Sequence, residues 1–269
     1  MNASGITHDP GRGTFRRLQV LRARRLTPNM RRVILTGPEL AGFSFYRHGL
    51  GPYVKLLVPP MNLKDPGWPR IGTDGAFECS ADELPSVRTY TVRDFDEERQ
   101  ELTIDFVLHG DEGPASRWAA RAEPGDCIAL LERGSSQPYG VDRYVFIGDH
   151  TALPAIAQSL ENLSDSAVGQ VVIFLDDVED KQPLRAPPGL SISWAIGETA
   201  VDLRSVIKGS RLQPATSNEY VFLWVGAEAK LARSLRAYAK DDLSLSRDQY
   251  SILNYWRRGF SEGAFARNG

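Results

Sequence analysis

Two short stretches of this chain combine residue types that suit a ligand with a flat ring at one end and phosphate in its middle. The first, residues 88–93 (RTYTVR), is strand-like in its Thr, Tyr and Val content but also carries two arginines. The second, residues 109–118 (HGDEGPASRW), is a Gly/Pro-rich turn that opens into a helical segment near Ser116. An aromatic plane, a fixed cation and a helix N-terminus would bind the ring and the phosphates. A flavin dinucleotide has this shape.

Alternation of side chains along a strand places Arg88 and Tyr90 on the same face. The tyrosine ring would then stack on the isoalloxazine while the arginine neutralises phosphate, and Thr91 would bond the polar edge of the flavin. An ordinary cross-strand pair of an aromatic and a cation is the structural alternative. His109 is a candidate donor to the pyrophosphate, and Ser116 is predicted to cap the following helix.

A second group of candidates lies in the C-terminal half. Gly148 ends a predicted strand within residues 148–155 (GDHTALPA), and Thr151 is predicted to cap a helix whose N-terminus faces a pyrophosphate. Gly226 again precedes a helix, so the two glycines favour a nucleotide cleft at one sheet edge. An ordinary strand-to-helix turn is compatible with the same residues.

The choice of nicotinamide stays open at this point. Acidic residues at 176–177 would accept hydrogen bonds from a ribose and favour NADH, whereas Lys181 and Arg185 would bind a 2′-phosphate and favour NADPH. Residues 255–259 (YWRRG) place two aromatics beside two cations. They either pack the last strand or form an active-site wall, with Trp256 near the flavin and Arg257 facing an anionic substrate.

The elements that must position these residues change in type along the chain. The first half has short runs rich in Val, Ile, Leu, Thr and aromatics, which predicts a six-stranded antiparallel β-barrel. The predicted strands are residues 15–23, 31–36, 53–58, 88–93, 102–109 and 127–131. Residues 59–78 are predicted to be a loop excursion over the mouth of the barrel.

Beyond a linker near residues 134–140, strands and helices alternate, which predicts an open parallel α/β sheet. The predicted strands are residues 144–148, 171–175, 191–196, 220–225 and 250–257, and the predicted helices are residues 151–163, 201–208 and 228–240. We therefore expect an α/β two-domain chain with domains at residues 14–137 and 138–269.

Composition narrows the class of protein. The chain has 269 residues, of which 42% are hydrophobic and 25% charged, as in an ordinary globular protein. A net charge of −2 gives no general attraction to nucleic acid, and no apolar run approaches the length that spans a membrane, so neither is an expected partner. The polar start predicts a leader on a cytoplasmic protein, and Cys79, Cys127 and the scattered histidines predict no metal site. The arginines of residues 12–32 are compatible with the basic edge of a sheet or with a positive rim that attracts an anionic ligand.

The motifs together, in this order, resemble the siderophore-interacting proteins, flavin-dependent ferric-siderophore reductases within the ferredoxin–NADP reductase superfamily. The resemblance covers nearly the whole chain after the leader and includes residues 54–56, 88–93, 109–118, 148–156 and 255–259. It implies an FAD-binding barrel followed by a domain for NADH or NADPH. Family members often have His where this chain has Tyr53, Gly in place of Asn254, and an acidic residue in place of His150.

The resemblance also implies roles for individual residues. Lys55 and Arg257 would belong to a basic pocket that receives the ferric chelate. The predicted cofactor contacts are Arg88, Thr89, Tyr90, Thr91, His109, Gly113, Ala115, Ser116, Asp149, Thr151, Ala152 and Trp256.

The implied activity is electron transfer from NAD(P)H through FAD to the iron of a ferric siderophore, which releases Fe(II) for iron acquisition. No side chain need act as acid, base or nucleophile, so no catalytic residue is predicted. Two alternatives stay open: a general flavin reductase (diaphorase) linked to a partner such as ferredoxin, and a siderophore-binding module without turnover. A monomer is expected.

Overall fold

The computed structural model describes residues 14–43, 45, 48–61, 63, 68, 70–71, 77–78, 84–109, 113–132, 134–136, 138, 140–197 and 219–260. These residues form two compact units. One is built from residues 14–45 and 51–135, and the other from residues 48–50 and 136–260.

Antiparallel strands make up most of the N-terminal unit. They are β1 (Phe15–Thr27), β2 (Met30–Thr36), β3 (Tyr53–Val58), β6 (Ser86–Thr91), β7 (Asp94–Asp96), β8 (Glu101–Val107) and β9 (Cys127–Glu132). They form one sheet in the order β6-β3-β9-β1-β2-β8-β7. Two short strands in the predicted loop, β4 (Arg70–Ile71) and β5 (Phe77–Glu78), pair with each other.

This sheet curls back on itself, because its two end strands are consecutive in the chain. Only Val92 and Arg93 separate β6 from β7, and the amide of Arg93 donates to the carbonyl of Thr103 on β8, 2.9 Å away. Residues 86–96 therefore act as one bent strand that pairs with β3 through its first half and with β8 through its second. Counted in this way the sheet has six strands, and the predicted antiparallel barrel is confirmed as a curled sheet.

Inward-facing side chains of these strands form a core that α1 (Pro114–Arg121) completes. Val54, Leu56, Ile104 and Phe106 are fully or almost fully buried there, and Trp118 of α1 packs among them. Alternation of buried and exposed residues is what the strand pattern predicts.

The basic start of the chain is mostly engaged inside this unit. Arg16 donates to the carbonyls of residues 39, 41 and 42, Arg22 binds Glu101, Arg31 donates to the carbonyls of residues 120 and 122, and Arg32 binds Asp105. Strand β1 pairs with β9 through residues 15–19 and with β2 through residues 19–27. Arg22, Arg24 and Arg25 are exposed on this second half, so a basic sheet edge stays compatible with the structure there. Arg12 lies outside the described residues.

Parallel strands form the sheet of the C-terminal unit. They are β10 (Arg143–Asp149), β11 (Val168–Leu175), β12 (Gly189–Ile196), β13 (Val221–Glu228) and β14 (Tyr250–Trp256), in the order β12-β11-β10-β13-β14. This confirms the open α/β sheet. The order reverses between β10 and β13, and such a switch point opens a crevice at the carboxyl ends of the strands.

Helices cover both faces of this sheet. Helix α2 (Leu153–Asn162) packs against the face of Gly148, whereas α3 (Ala229–Ala237) packs against Val145 and Ile147 on the other face. A π-helical turn, Tyr238–Asp242, extends α3. The helix predicted at residues 201–208 lies outside the described residues.

Candidate functional site

Tyr90 presents an aromatic surface at one edge of the N-terminal sheet. The centre of its ring lies 4.5 Å from the centre of the Phe106 ring, and the centre of the Phe106 ring lies 5.7 Å from that of Trp118. Phe106 is fully buried, whereas Tyr90 is partly exposed. A ring that is backed by the core and reachable from outside is suited to stack on a flat ligand.

Arg88 lies on the same face as Tyr90, because their cross-strand partners Leu56 and Val54 are both core residues. One guanidinium nitrogen of Arg88 donates to the carbonyl of Val87, 2.8 Å away. A guanidinium carries five N–H groups, so Arg88 keeps most of its donor capacity for an anion.

The backbone of β6 offers further hydrogen-bonding groups. The amide of Val92 donates to Pro52 at 2.8 Å on the β3 side, and the amide of Arg93 donates to β8. Successive backbone groups of a strand point to opposite sides. The backbone groups of Thr89 and Thr91 therefore point away from β3, along the outer edge of the end strand.

His109, Gly113 and Ser116 meet at the start of α1. The buried Ser116 hydroxyl accepts a hydrogen bond from the amide of His109 at 3.1 Å, and a Cβ added at Gly113 would lie 2.9 Å from the His109 ring. The His109 side chain is exposed, so its imidazole is available to a ligand near the helix N-terminus.

Ser116 does not cap this helix, contrary to the prediction. The N-cap is Gly113, which makes no side-chain hydrogen bond, and Pro114 opens the helix. Ser116 is the third helical residue and its hydroxyl faces back to the chain at His109. No side chain of the described residues caps this start, which leaves the helix N-terminus suited to an anionic ligand. Ala115, beside it, is buried in the core.

Lys55 lies on the opposite face of the β3–β6 pair from Tyr90. Its cross-strand partner is Thr89, and its ammonium donates to the Thr89 hydroxyl. The structure thus brings Lys55 and Thr89 together, and it separates them from Arg88 and Tyr90 by the thickness of the sheet. Thr91 shares the face of Lys55 and is buried.

A buried ion network that the sequence reasoning missed adjoins the motif of residues 88–93. Both Asp105 oxygens accept hydrogen bonds of 2.7 Å from Arg32, and Arg93, the last residue of the motif, lies 4.0 Å away. The Asp105 side chain is only 2% exposed. An aspartate inside the apolar run of residues 102–108 was the available signal, because a buried carboxylate requires a cation.

The carboxylate of Asp149 is the centre of the C-terminal group. One oxygen accepts from the amide and hydroxyl of Thr151 at 2.9 and 2.5 Å, and the other accepts from the Glu228 amide and the Trp256 indole, both at 2.8 Å. Burial raises the pKa of Asp149, and these hydrogen bonds oppose the rise. The carboxylate ties β10 to β13 and β14.

Thr151 does not cap the helix either. Asp149 is the N-cap of the helical turn His150–Ala152, and Thr151 donates to it. Helix α2 follows at Leu153 with Pro154 in its first turn, as predicted. Since the Asp149 carboxylate already accepts from the Thr151 amide and places a negative charge at this helix start, the start does not favour a pyrophosphate.

Gly148 and Gly226 are direct neighbours on β10 and β13. A Cβ at Gly148 would lie 2.8 Å from Ala152 and Ile156, and one at Gly226 would lie 3.0 Å from Ala152. The glycines therefore admit α2 close to the sheet, and the Ala152 side chain is fully buried between them.

The residues after β14 form a tight turn. The Phe260 amide donates to the Arg257 carbonyl at 3.0 Å, and Gly259 supplies the positive φ of 78°. The Arg257 guanidinium lies 4.0 Å from the centre of the Phe260 ring. The Arg258 guanidinium lies 5.7 Å from the centre of the Trp256 ring. Both arginine side chains are exposed, so this turn presents two cations.

The end of β11 carries the groups that bear on the nicotinamide. Asp177 caps the next helical turn, whereas Asp176, Lys181 and Arg185 are exposed. Both kinds of ribose contact are therefore available.

His150 lies 3.9 Å from the buried Asp180, and burial lowers the pKa of His150 while the nearby carboxylates oppose this shift.

The described residues contain neither a metal-binding cluster nor a membrane-spanning helix. No group of three or more His, Cys, Asp or Glu side chains within them is arranged to hold a metal ion. None of the helices in the described ranges is long and apolar enough to cross a membrane.

Comparisons with known proteins agree with this architecture. A model of the siderophore-interacting FAD-binding domain matches residues 19–136, and a model of the siderophore-interacting protein matches residues 141–259. The NADPH-dependent ferric-chelate reductase of Escherichia coli is 34% identical over 82% of this chain and 85% of its own length. The ferric vibriobactin reductase ViuB of Vibrio cholerae is 28% identical over 93% and 92%.

Solved structures show the same relationship. A siderophore utilization protein from T. fusca superimposes with a TM-score of 0.79 at 35% identity, over 92% of this chain and 94% of that one. The siderophore-interacting protein SipS from Aeromonas hydrophila gives 0.78 at 32% identity, over 94% and 95%. A ferredoxin NADP+ reductase from Neisseria gonorrhoeae, at 13% identity over 90% and 99%, gives 0.60 and shares the fold. On these matches and this architecture, the chain belongs to the siderophore-interacting protein family.

Proposed function

We propose that this protein is an FAD-dependent ferric-siderophore reductase that takes electrons from NADH or NADPH. The observation that carries the proposal is the edge of the N-terminal sheet, where the partly exposed Tyr90 ring, the donor groups of Arg88 and an uncapped helix start belong to one compact unit. Relatives over nearly the whole chain are named as ferric-chelate and ferric vibriobactin reductases.

The residues present fit FAD. Tyr90 offers a ring for the isoalloxazine, the backbone of Thr89 and Thr91 offers hydrogen bonds to its polar edge, and Arg88 offers charge to phosphate. His109 and the amides at Gly113–Ala115–Ser116 would hold the pyrophosphate at the start of α1. We assign the FAD domain to residues 14–137 and the nicotinamide domain to residues 138–269.

The number of electrons that each reactant exchanges explains why FAD is needed between the nicotinamide and the iron. Bound FAD would accept two electrons from the nicotinamide as a hydride and pass them on singly, as Fe(III) requires. Each ferric chelate takes one electron, so one NAD(P)H, oxidised to NAD(P)⁺ and a proton, reduces two irons. Fe(II) carries less charge than Fe(III) and is held less tightly by hard oxygen ligands, so the siderophore releases it. The protein holds and orients the reactants.

Cationic side chains would attract the substrate. Lys55 in the N-terminal unit and Arg257 in the exposed C-terminal turn are our candidates for contacts with anionic ferric chelates. Most of the described arginines near the start of the chain bind groups of their own unit, which reduces the cationic surface that an acidic protein partner such as ferredoxin would need. We therefore propose a small chelate as electron acceptor, and a monomer working in the cytoplasm, where NAD(P)H is supplied.

An anaerobic titration tests this function. Purified protein, reconstituted with FAD, should be yellow, should lose its visible absorption on addition of NADH or NADPH, and should regain it on addition of a ferric siderophore. An Fe(II)-specific chelator should report the released iron. Re-oxidation by general dyes but by no ferric chelate would favour a diaphorase, and failure to bind FAD would favour a binding module.

A further inference from the structure

The structure assigns to Asp149 a positioning role: its carboxylate fixes the Trp256 indole across the carboxyl end of β13, and this ring, rather than the carboxylate, contacts the nicotinamide nucleotide. The inference rests on the proposed function, since it concerns the site of the electron donor. It replaces the prediction that Asp149 binds the cofactor directly.

The carboxylate has no capacity left for a ligand. An ionised carboxylate has about four lone-pair sites. Those of Asp149 accept two hydrogen bonds from Thr151, one from the Glu228 amide and one from the Trp256 indole, at 2.5–2.9 Å. A nucleotide would have to displace one of these short bonds in order to reach Asp149.

The indole crosses the position where an open α/β sheet binds its ligand. Trp256 ends β14, and the strand order is β10-β13-β14. Its N–H nevertheless reaches Asp149 on β10, so the side chain passes over the end of β13. The topological switch point lies between β10 and β13, and ligands of such sheets bind at this edge.

Several contacts fix the ring in this orientation. An indole has a single N–H, and that of Trp256 is used by Asp149. Glu228 provides a second tie, because its amide donates to Asp149 and its side chain accepts from the amide of Arg258 at 3.3 Å. The side chain of Trp256 stays partly exposed. The guanidinium of Arg258 lies over the ring, so what Trp256 offers a ligand is the opposite ring face, next to a cation, which suits a flat and anionic nucleotide.

The test measures ring position and nucleotide binding separately in the FAD-reconstituted full chain. Asp149→Asn keeps the volume of the side chain but replaces an acceptor oxygen by a donor NH₂. The chain has five tryptophans, and ¹⁵N-labelled indole spectra identify the Trp256 signal as the one that is lost in Trp256→Phe. NAD⁺ and NADP⁺ are titrated one at a time. Asp165→Asn, an exposed carboxylate outside the site, is the matched control.

We expect the wild-type Trp256 indole signal to shift on addition of at least one nucleotide. In Asp149→Asn that signal should move and exchange faster with water, and the nucleotide Kd should rise about tenfold, with FAD content unchanged. Asp165→Asn should match the wild type. If Asp149→Asn does not fold, Trp256→Phe removes the same N–H and should weaken nucleotide binding similarly.

Three results would overturn the inference. These are an indole signal that Asp149→Asn leaves in place, a displaced signal with unchanged nucleotide affinity, and wild-type binding that does not perturb Trp256. If neither nucleotide binds the wild type, the inference falls together with the assignment of NAD(P)H as donor. FAD binding and chelate reduction by a chemical reductant would still stand in that case.

Discussion

Replacing Tyr90 with alanine should weaken FAD binding. The ring is backed at 4.5 Å by the buried Phe106 and is partly exposed, so its exposed part is what the flavin would cover. Stacking of a flat base on an aromatic side chain contributes about 1–3 kcal/mol. Because each 1.4 kcal/mol is tenfold in affinity, the FAD Kd should rise roughly 5- to 150-fold.

The assay is equilibrium titration of apoprotein with FAD, followed by flavin fluorescence, with thermal unfolding measured in parallel. Loss of the Tyr90–Phe106 ring contact costs about 0.5–1.5 kcal/mol beyond the lost burial of the ring, so Tm should also fall and the titration is made at a temperature where both proteins are folded. Tyr90→Phe keeps the ring and should bind FAD within about twofold of the wild type. Equal FAD affinity in Tyr90→Ala and wild type would refute the stacking role.

Three further changes test other parts of the structure. Lys55→Met should raise the KM for anionic ferric chelates several-fold and leave FAD content unchanged, because it removes the ammonium and its bond to the Thr89 hydroxyl but leaves the backbone of Thr89 in place; steady-state kinetics with an uncharged chelate is the control. Gly148→Ala should lower the free energy of unfolding by about 1–3 kcal/mol in urea titrations, since the new Cβ would lie 2.8 Å from Ala152 and Ile156. Burial lowers the pKa of His150, so the unfolded chain binds the proton more readily and stability should fall as pH drops below about 6.5; unfolding between pH 8 and 5 should show this slope flattened in His150→Gln.

Local sequence patterns were sufficient for the architecture. Short β-branched runs with Gly/Pro turns predicted the curled antiparallel sheet, and alternation of strands and helices predicted the parallel one. The same patterns put Arg88 and Tyr90 on one face. These features depend on side-chain periodicity, which a single sequence displays directly.

Contacts between distant residues were not predictable in this way. The Asp149–Trp256 bond joins residues 107 positions apart, and Arg32 meets Asp105 across 73 positions. The basic start therefore gave no sign of its distant carboxylate partners, which include Glu101 for Arg22 and Asp105 for Arg32. No local sequence pattern specifies which carboxylate pairs with a given arginine.

The two N-cap predictions were wrong for a more local reason. Hydroxyl residues are favoured N-caps, which pointed to Ser116 and Thr151. In each case an earlier residue starts the turn: Gly113 before Pro114, and Asp149, whose carboxylate accepts from Thr151. A proline at the first helical position and an acidic residue before the threonine were the signals that should have outweighed the hydroxyls.

The central claim is that electrons pass from a nicotinamide to siderophore iron through this protein, and iron stoichiometry tests it most directly. Under anaerobic conditions, with FAD-loaded protein, a limiting amount of NADH or NADPH and an excess of ferric siderophore, Fe(II) should appear in an approximately two-to-one ratio to the nicotinamide consumed. Nicotinamide oxidation without any Fe(II), or no oxidation of either nicotinamide while the protein is loaded with FAD, would contradict the account.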